Sequence, residues 1–549
     1  MVTDGNNESR PLIPATALPK SGKTKVKLWF VYLAFCFPAL AGFNFGYDIG
    51  AASGAVGSIG KLVTLSTAER SMLISASLIG ATAGSIAALW LGEPLGRRRS
   101  LITGSVFYAI GTIISVGASN DIQRVVSIVL VGRIVFGLGI AFSMNAAPVY
   151  ISEIAPAHVR GQLVSGKEGF IVLGVLCGFA ASAFSERNSP PDQAWRSIWA
   201  PPLLLAMVVA IGMWSMPPSP RWLLLRAAAH ASAASAPSAA SSSASPAVHR
   251  LRADASRKTA VEALARFRRG ASTAELEDEI SEIEQTLEQK EELDDGAAER
   301  GGSSSGSSEE RARARQSSKK STRCAEMMRA RRALVAGIGL VVLQQVTGQP
   351  SVLYCQEAIF RDAGFGAHAA TASVVVGAAK LLATLTTVAC VDSFGRRPLL
   401  LVGISMMFCA LTLLGIAFSL GKIDDATGTI TLPDRWPPVV VGALVVYVCG
   451  YQVGFGPVTW LLISEIFPLR LRTTALSIAV VCNFGLNLIV AATLEPLQHA
   501  FNAISAGKGQ AYLFLTYAIM CLLSLVFVCG WVPETKGKSL EEIETMMVR

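Results

Sequence analysis

The amino-acid sequence predicts an all-α integral membrane protein, in which twelve transmembrane helices form two pseudo-symmetric six-helix bundles with a cytoplasmic helical layer. Three observations support this prediction. Hydrophobic residues make up 51% of the 549 residues and charged residues only 16%, whereas a soluble domain carries about 25% charged residues. Twelve long apolar runs follow one another along the chain. Two sequence motifs occur once in each half.

Each apolar run is long enough to cross a bilayer core about 30 Å thick, which takes roughly 20 residues. Lipid offers the backbone no hydrogen-bond partner, so we expect each run to be a helix. Basic residues occupy every second short connection, and by the positive-inside rule both termini then face the cytoplasm. The runs cover residues 28–48, 71–92, 100–118, 125–151, 165–184, 198–216, 333–356, 369–391, 398–420, 437–463, 474–494 and 511–531.

A duplication relates the two halves of the chain. Ile151-Ser-Glu-Ile-Ala-Pro-Ala-His-Val-Arg160 recurs as Ile463-Ser-Glu-Ile-Phe-Pro-Leu-Arg-Leu-Arg472, and Glu93-Pro-Leu-Gly-Arg-Arg98 recurs as Asp392-Ser-Phe-Gly-Arg-Arg397. A parallel repeat of this kind is typical of transporters whose site lies between two bundles. We therefore divide the chain into an N-terminal tail (1–27), a first bundle (28–216), a cytoplasmic loop (217–332), a second bundle (333–531) and a C-terminal tail (532–549).

The cytoplasmic loop combines low-complexity inserts with a helical pattern. Ala227–Val248 is rich in Ala and Ser, and Gly301–Ser308 is rich in Gly and Ser, so we expect both to be disordered. Between them, Ser272 and Glu275 have the spacing of a capping box. An apolar stripe follows, and it either packs on the cytoplasmic face of the bundle or binds a partner helix: Leu276, Ile280, Ile283 and Leu287.

Several classes of function are excluded by what the sequence lacks. It has no GxxxxGK[ST] loop for a nucleotide-driven pump, and its five histidines have no metal-ligand spacing. The ten cysteines form no CxxC pair, so we expect neither a metal nor a cofactor. The net charge of +9 lies in short segments between apolar runs, where it sets orientation rather than binding nucleic acid. The lipid bilayer is the partner that these patterns imply.

Four further motifs are Gly42-Phe-Asn-Phe-Gly-Tyr-Asp48, Pro148-Val-Tyr-Ile-Ser-Glu153, Gly456-Pro-Val-Thr-Trp460 and Pro533-Glu-Thr-Lys-Gly537. Together with the repeated motifs, they resemble the sugar-porter family of the major facilitator superfamily. Thr347-Gly-Gln-Pro350, Lys380 and Glu168 look most similar to class III glucose-transporter-type facilitators. The resemblance implies alternating-access transport of a hexose or a related polyol. No bond is made or broken in such transport, so an enzyme is not expected.

A sugar presents hydroxyl groups and an apolar ring face, which amides and an aromatic plate can bind. Amides at membrane depth could instead hold helices together. By resemblance the amides line the sugar site, whereas Glu168 replaces the usual glutamine and Pro350 replaces a sugar-binding asparagine, leaving Ser351 or Gln349 as substitutes. The predicted substrate-binding residues are Phe45, Glu168, Gln344, Gln345, Ser351, Tyr354, Trp460, Asn483 and Asn487.

Charged residues recur at the cytoplasmic ends of helices in both halves. Paired acids and bases there could lock the halves together when the site opens outward, and separate when it opens inward. The alternative is that these charges only set topology, but the positive-inside rule does not require the recurring acids. The predicted cytoplasmic gate comprises Glu93, Arg97, Arg98, Glu153, Arg160, Asp392, Arg396, Arg397, Glu465 and Arg472.

Two ionisable residues belong to the apolar runs of the first half. Asp48 is the last residue of the first run and Arg133 lies inside the fourth, and ionisable groups at membrane depth are usually functional. In the sugar porters an acid at the Asp48 position marks proton-coupled members, so we expect symport of a sugar with protons. The alternatives are a static salt bridge in a passive hexose uniporter and, in another class, a sugar sensor that does not transport.

The N-terminal tail carries a candidate sorting signal. Glu8, Leu12 and Ile13 fit the acidic dileucine form ExxxLI, which would bind a sorting adaptor. We expect a multi-pass protein of the plasma membrane or of an endomembrane such as the vacuolar membrane.

Overall fold

The computed structural model describes residues 28–118, 122–190, 192–235, 246–299, 331–423, 430–431, 436–467, 472–505, 507–538, 542–543 and 546–547. Among these residues, twelve helices are long and apolar enough to cross a membrane, as the sequence predicts. The only strands in the described part are two residues each, Lys422–Ile423 and Ile430–Thr431. The sorting motif at Glu8, Leu12 and Ile13 lies outside the described residues.

The first half contains six spans. Five are single helices, and the sixth is divided between α6 and α7. Their bounds are α1 Trp29–Gly60, α2 Thr67–Leu95, α3 Arg97–Val116, α4 Ile122–Ile154, α5 Ala157–Asn188, α6 Ala194–Trp199 and α7 Pro201–Ser215.

Small residues allow α1 and α5 to pack backbone against backbone. A Cβ atom at Gly46 would collide with the carbonyl oxygen of Ile171, and one at Gly174 would collide with that of Phe43. Close approach of this kind is how membrane helices gain contact energy without a hydrophobic driving force.

The second half repeats the six spans, but two of them are broken. The seventh is split between α11 Arg331–Val346 and α12 Gln349–Tyr354, and the tenth between α16 Trp436–Val453 and α17 Phe455–Ile466. The other elements of this half are α13 Gln356–Phe360, α14 Ala369–Phe394, α15 Arg396–Ser419, α18 Arg472–Ile504 and α19 Gly509–Trp531.

The break in the seventh span depends on a glycine. Gly348 adopts φ +88°, and a Cβ atom there would collide with the Tyr517 ring. Only glycine takes this conformation readily. Irregular backbone at membrane depth is tolerated where it is buried in protein or lines a cavity, so the break marks a candidate site.

The segment between the halves is more helical than predicted. Helix α8 spans Pro220–Ser235, α9 spans Pro246–Phe267 and α10 spans Thr273–Glu299. The expectation of disorder in Ala227–Val248 is therefore wrong for residues 227–235 and 246–248, because alanine is the strongest helix former. The Gly301–Ser308 insert lies outside the described residues.

The capping box of α10 is present as predicted. The backbone N–H of Ser272 donates to the Glu275 carboxylate at 2.8 Å, and the N–H of Glu275 donates to the Ser272 hydroxyl at 3.2 Å. The apolar stripe of α10 packs against α8 and α9 rather than on the bundle, so that part of the prediction is wrong. Arg268 ties the helices to the first half by donating to the Ile154 carbonyl at 2.8 Å.

The bundle has two faces, at which the spans begin and end. The terminal face is the one on which α1 begins, and it carries Glu153 and Glu465 at the ends of α4 and α17. The opposite face carries the ends of α1 and α5, the start of α2 and the residues after α12. Across the centre the halves meet where α5 packs on α14 and α2 packs on α18.

Candidate functional site

Buried amides gather beside the break in the seventh span. Gln344 Nε2 donates to the Tyr451 hydroxyl at 2.6 Å, and Gln345 Nε2 donates to Asn483 Oδ1 at 2.7 Å. The side-chain oxygens of Gln344, Gln345 and Asn487 accept no hydrogen bond from any described residue, although they are buried. A buried acceptor without a donor costs roughly 1–3 kcal/mol, so these oxygens suit a ligand that brings hydroxyl donors.

Aromatic rings lie on the spans that carry the amides and on α1 of the first half. Phe45 of the first half contacts Phe484 of the second edge to face, with ring centroids 5.7 Å apart. Trp460, on α17 just after the break at Gly454, is partly buried in the same half as the amides. These helices therefore carry both amide groups and aromatic rings, the two kinds of group that suit the hydroxyls and the apolar face of a sugar.

Ser351 is engaged elsewhere. Its hydroxyl donates to the Val490 carbonyl at 2.8 Å and accepts from the Tyr517 hydroxyl at 3.0 Å. These bonds join α12 to α18 and α19, and they use the hydroxyl's donor and one of its acceptor sites. The predicted role of Ser351 as a substitute ligand gains no support from this arrangement.

Asp48 and Arg133 form an ion pair inside the first half. Both side chains are almost fully buried, with 1% and 3% exposure. The Arg133 guanidinium also lies 4.8 Å from the centroid of the Trp199 ring and 4.9 Å from that of Phe136. Tyr354 of α12 interacts electrostatically with both members of the pair, so the second half contributes to this site.

At the terminal face, the predicted acids pair with arginines inside their own halves. Arg97 lies 3.2 Å from Glu153, and Arg396 lies 3.0 Å from Glu465. Sequence reasoning missed two further members. The Ser219 hydroxyl donates to Glu153, and the Thr535 hydroxyl donates to Glu465 at 2.6 Å. Each lies just after the last membrane helix of its half.

The remaining predicted gate residues take other positions. Arg98 donates to the Met213 carbonyl at 3.0 Å and joins α3 to α7. Arg397 donates to the Cys529 carbonyl at 2.5 Å and joins α15 to α19. Glu93 and Arg160 are exposed. The side chains of Asp392 and Arg472 lie outside what the structure describes.

The opposite face holds contacts that no motif indicates. Arg361 of the second half lies 2.9 Å from Glu186 of the first, and Arg187 donates to the Thr371 hydroxyl at 3.1 Å. Ser71 of the first half also donates to Glu495 of the second at 3.0 Å. These contacts join the halves at this face.

A buried carboxyl lies within this group. Glu357 pairs with Arg361, and Lys61 lies 3.3 Å from Glu186. Burial raises the pKa of Glu357 to about 7, and the nearby Arg361 only partly opposes that shift.

Comparison with known proteins identifies the family. The family described as "Sugar (and other) transporter" matches residues 34–272 and 272–547. The chain belongs to this sugar transporter family. A D-xylose-proton symporter-like protein of Arabidopsis thaliana, described as chloroplastic, is 38% identical over 530 residues, covering 94% of this chain and 83% of the relative. The galactose-proton symporter of Escherichia coli is 28% identical and covers 96% and 97%.

Solved structures agree with the family. The proton:xylose symporter XylE bound to 6-bromo-6-deoxy-D-glucose is 25% identical, with a TM-score of 0.69 over 94% of this transporter and 99% of that chain. A partially occluded, inward-open XylE from E. coli is 23% identical, with the same TM-score of 0.69, over 93% and 99%. The predicted major facilitator fold is thus confirmed.

Proposed function

We propose that this sugar transporter is a symporter that carries one monosaccharide together with a proton by alternating access. The observation that carries the proposal is the buried Asp48–Arg133 pair, which faces Tyr354 of the other half. Relatives named as xylose-proton and galactose-proton symporters support proton coupling.

The pair can couple proton binding to conformation. A carboxylate beside a guanidinium keeps its charge, whereas a buried carboxylate that loses this partner takes up a proton. Tyr354 approaches the pair from the second half, so relative movement of the halves changes the environment of Asp48. The protonated and charged forms therefore favour different conformations, and sugar binding draws on the same equilibrium.

The sugar is proposed to bind between the halves. Gln344, Gln345, Asn483 and Asn487 supply amide donors and acceptors, and Trp460 and Phe45 supply apolar faces. The unpaired amide oxygens of this group accept hydroxyl donors, and the rings cover the C–H surface of the sugar. Glucose, galactose and xylose share these features, so we propose a monosaccharide of this class as the substrate.

Alternating access is proposed to use both faces. The terminal face is taken as cytoplasmic, in keeping with the distribution of basic residues. The halves contact each other at the opposite face, whereas each gate pair lies inside one half. We take this arrangement as the state in which the opposite face is closed. In the reverse state the acids Glu153 and Glu465 are proposed to exchange partners across the halves.

Transport assays on the purified protein test the proposal. Proteoliposomes are loaded at one pH and diluted into another, and uptake of labelled xylose, galactose and glucose is followed with and without the pH gradient. Symport predicts accumulation above the external concentration only with the gradient. Equilibration without accumulation would identify a passive uniporter, and binding without uptake would identify a sensor.

A further inference from the structure

Two residues of opposite charge lie on α5 and α14, the helices of different halves that pack against each other beside the amides. Glu168 lies on α5 of the first half, and Lys380 lies on α14 of the second with only 4% of its side chain exposed. The two groups interact electrostatically. Within the described residues, however, neither side chain forms an ion pair or a side-chain hydrogen bond.

Helix packing fixes the separation of the two groups. On α14, Gly377 packs against Phe179 and Leu176 of α5, and Leu385 packs near Gly169. A Cβ atom at Gly377 would come within 3.1 Å of the Phe179 ring, so the helices are already close there. Lys380 lies between these two contacts. The charges are therefore held near each other by packing while remaining out of direct contact.

Lys380 also borders the amide group. Its ammonium lies 5.6 Å from the centroid of the Tyr451 ring, and the hydroxyl of that ring accepts the hydrogen bond from Gln344. Lys167 is the other cation near Glu168, but its side chain lies against Gly42 of α1 in the first half. Among these cations, Lys380 is the one that the second half presents to Glu168.

We propose that Glu168 and Lys380 are a specificity-determining pair that a single sugar hydroxyl bridges. The hydroxyl donates its hydrogen to the Glu168 carboxylate and accepts one from the Lys380 ammonium, which only a group that is both donor and acceptor can do. Hydrogen bonds to ionised groups are stronger than neutral ones. The inference rests on the proposed sugar transport and names the group by which this site selects its substrate.

The pair adds a link between the halves. One partner belongs to each half, so a bridging hydroxyl draws the two bundles together around the sugar. A sugar without that hydroxyl leaves the buried Lys380 and the half-buried Glu168 without a bridging partner, which a site of this kind rejects strongly. A pair of neutral amides at the same positions would tolerate a sugar that lacks this hydroxyl better.

Equilibrium exchange tests the inference, because exchange needs no proton gradient. Each monodeoxy derivative of the best substrate competes with labelled sugar for exchange in proteoliposomes. In the wild type one derivative should compete at least about tenfold less well than the others. That discrimination should shrink several-fold in the double variant Glu168→Gln/Lys380→Asn. Each single variant should bind the parent sugar less tightly than the double variant, because one charge is left alone.

A matched control removes a similar pair elsewhere. Arg257 and Glu284 form an ion pair between α9 and α10, at 2.8 Å, and Arg257→Gln/Glu284→Gln should leave the competition profile unchanged. Recovery of each variant as a monodisperse protein is checked first. The wild-type competition panel tests the inference even if a variant fails to fold. A flat wild-type panel, or single variants that keep the wild-type profile, would overturn the inference while leaving symport intact. If the wild type keeps its competition profile but does not accumulate sugar under a pH gradient, symport alone would be overturned.

Discussion

Arg361 and Glu186 form an ion pair that joins the two halves of the transporter at the face opposite the chain termini. The two residues are 175 positions apart in the chain, and their atoms lie 2.9 Å apart. Glu357 and Lys61 extend the pair into a group of four charges with two acids and two bases. Opening this face requires the Arg361–Glu186 contact to separate.

Closure of this face should depend on pH. The pKa of Glu357 is raised to about 7 while the face is closed, and opening would hydrate the carboxyl and return its pKa toward the usual value of about 4.3. The closed state therefore binds the proton more tightly, so lowering the pH from about 7 to about 4.3 favours closure. Raising the pH through about 7 removes that advantage.

Labels on the exposed residues Leu62 and Ala500 report the distance between the halves at this face. The closed population should rise on acidification over this range, and Glu357→Gln should remove most of the dependence. Arg361, Glu186 and Lys61 are the charged groups that face Glu357. A face that opens on acidification in the wild type would contradict the prediction.

Neutralising either gate acid should slow transport. Glu153→Gln removes the carboxylate that pairs with Arg97, and Glu465→Gln removes the one that pairs with Arg396. Removal of one member of a buried pair leaves an uncompensated charge, at a cost of about 3–5 kcal/mol. We expect initial rates to fall by tenfold or more in each variant, since the two sites are equivalent by the repeat. Normal rates in both would remove the gate role.

Ser351→Ala should weaken the fold without changing sugar selection. The hydroxyl bonds to Val490 and Tyr517, and loss of a buried hydrogen-bond partner costs roughly 1–3 kcal/mol. The thermal unfolding midpoint in detergent should drop by a few degrees. Competition by a sugar panel should stay as in the wild type. If competition by the sugars changed while the thermal unfolding midpoint did not, Ser351 would instead be a substrate-binding residue.

Sequence reasoning predicted the spans and the two halves because these depend on apolar length and on a readable repeat. It did not predict the break at Gly348, since hydropathy carries no information on a positive φ angle. The Ala-rich residues 227–235 were expected to be disordered, although the same composition also favours a helix.

The candidate site was predicted in part. Gln344, Gln345 and Asn483 come together as the resemblance implied, because they lie on helices of one half. Contacts between the halves were harder to foresee. Glu186 and Arg361 belong to no motif, and only the packing of α5 beside the residues after α12 brings them together. Thr535 lies inside a recognised motif, but its contact with Glu465, like that of Ser219 with Glu153, becomes visible only in three dimensions.

The most direct test of the account compares the wild type with Asp48→Asn in proteoliposomes under an imposed pH gradient. Exchange of labelled sugar at equal pH is measured alongside net accumulation. The account predicts that the wild type concentrates sugar and takes up protons with it, whereas Asp48→Asn exchanges sugar but fails to concentrate it. A wild type that neither concentrates sugar nor moves protons, or an Asp48→Asn variant that still concentrates sugar, would contradict proton coupling through Asp48.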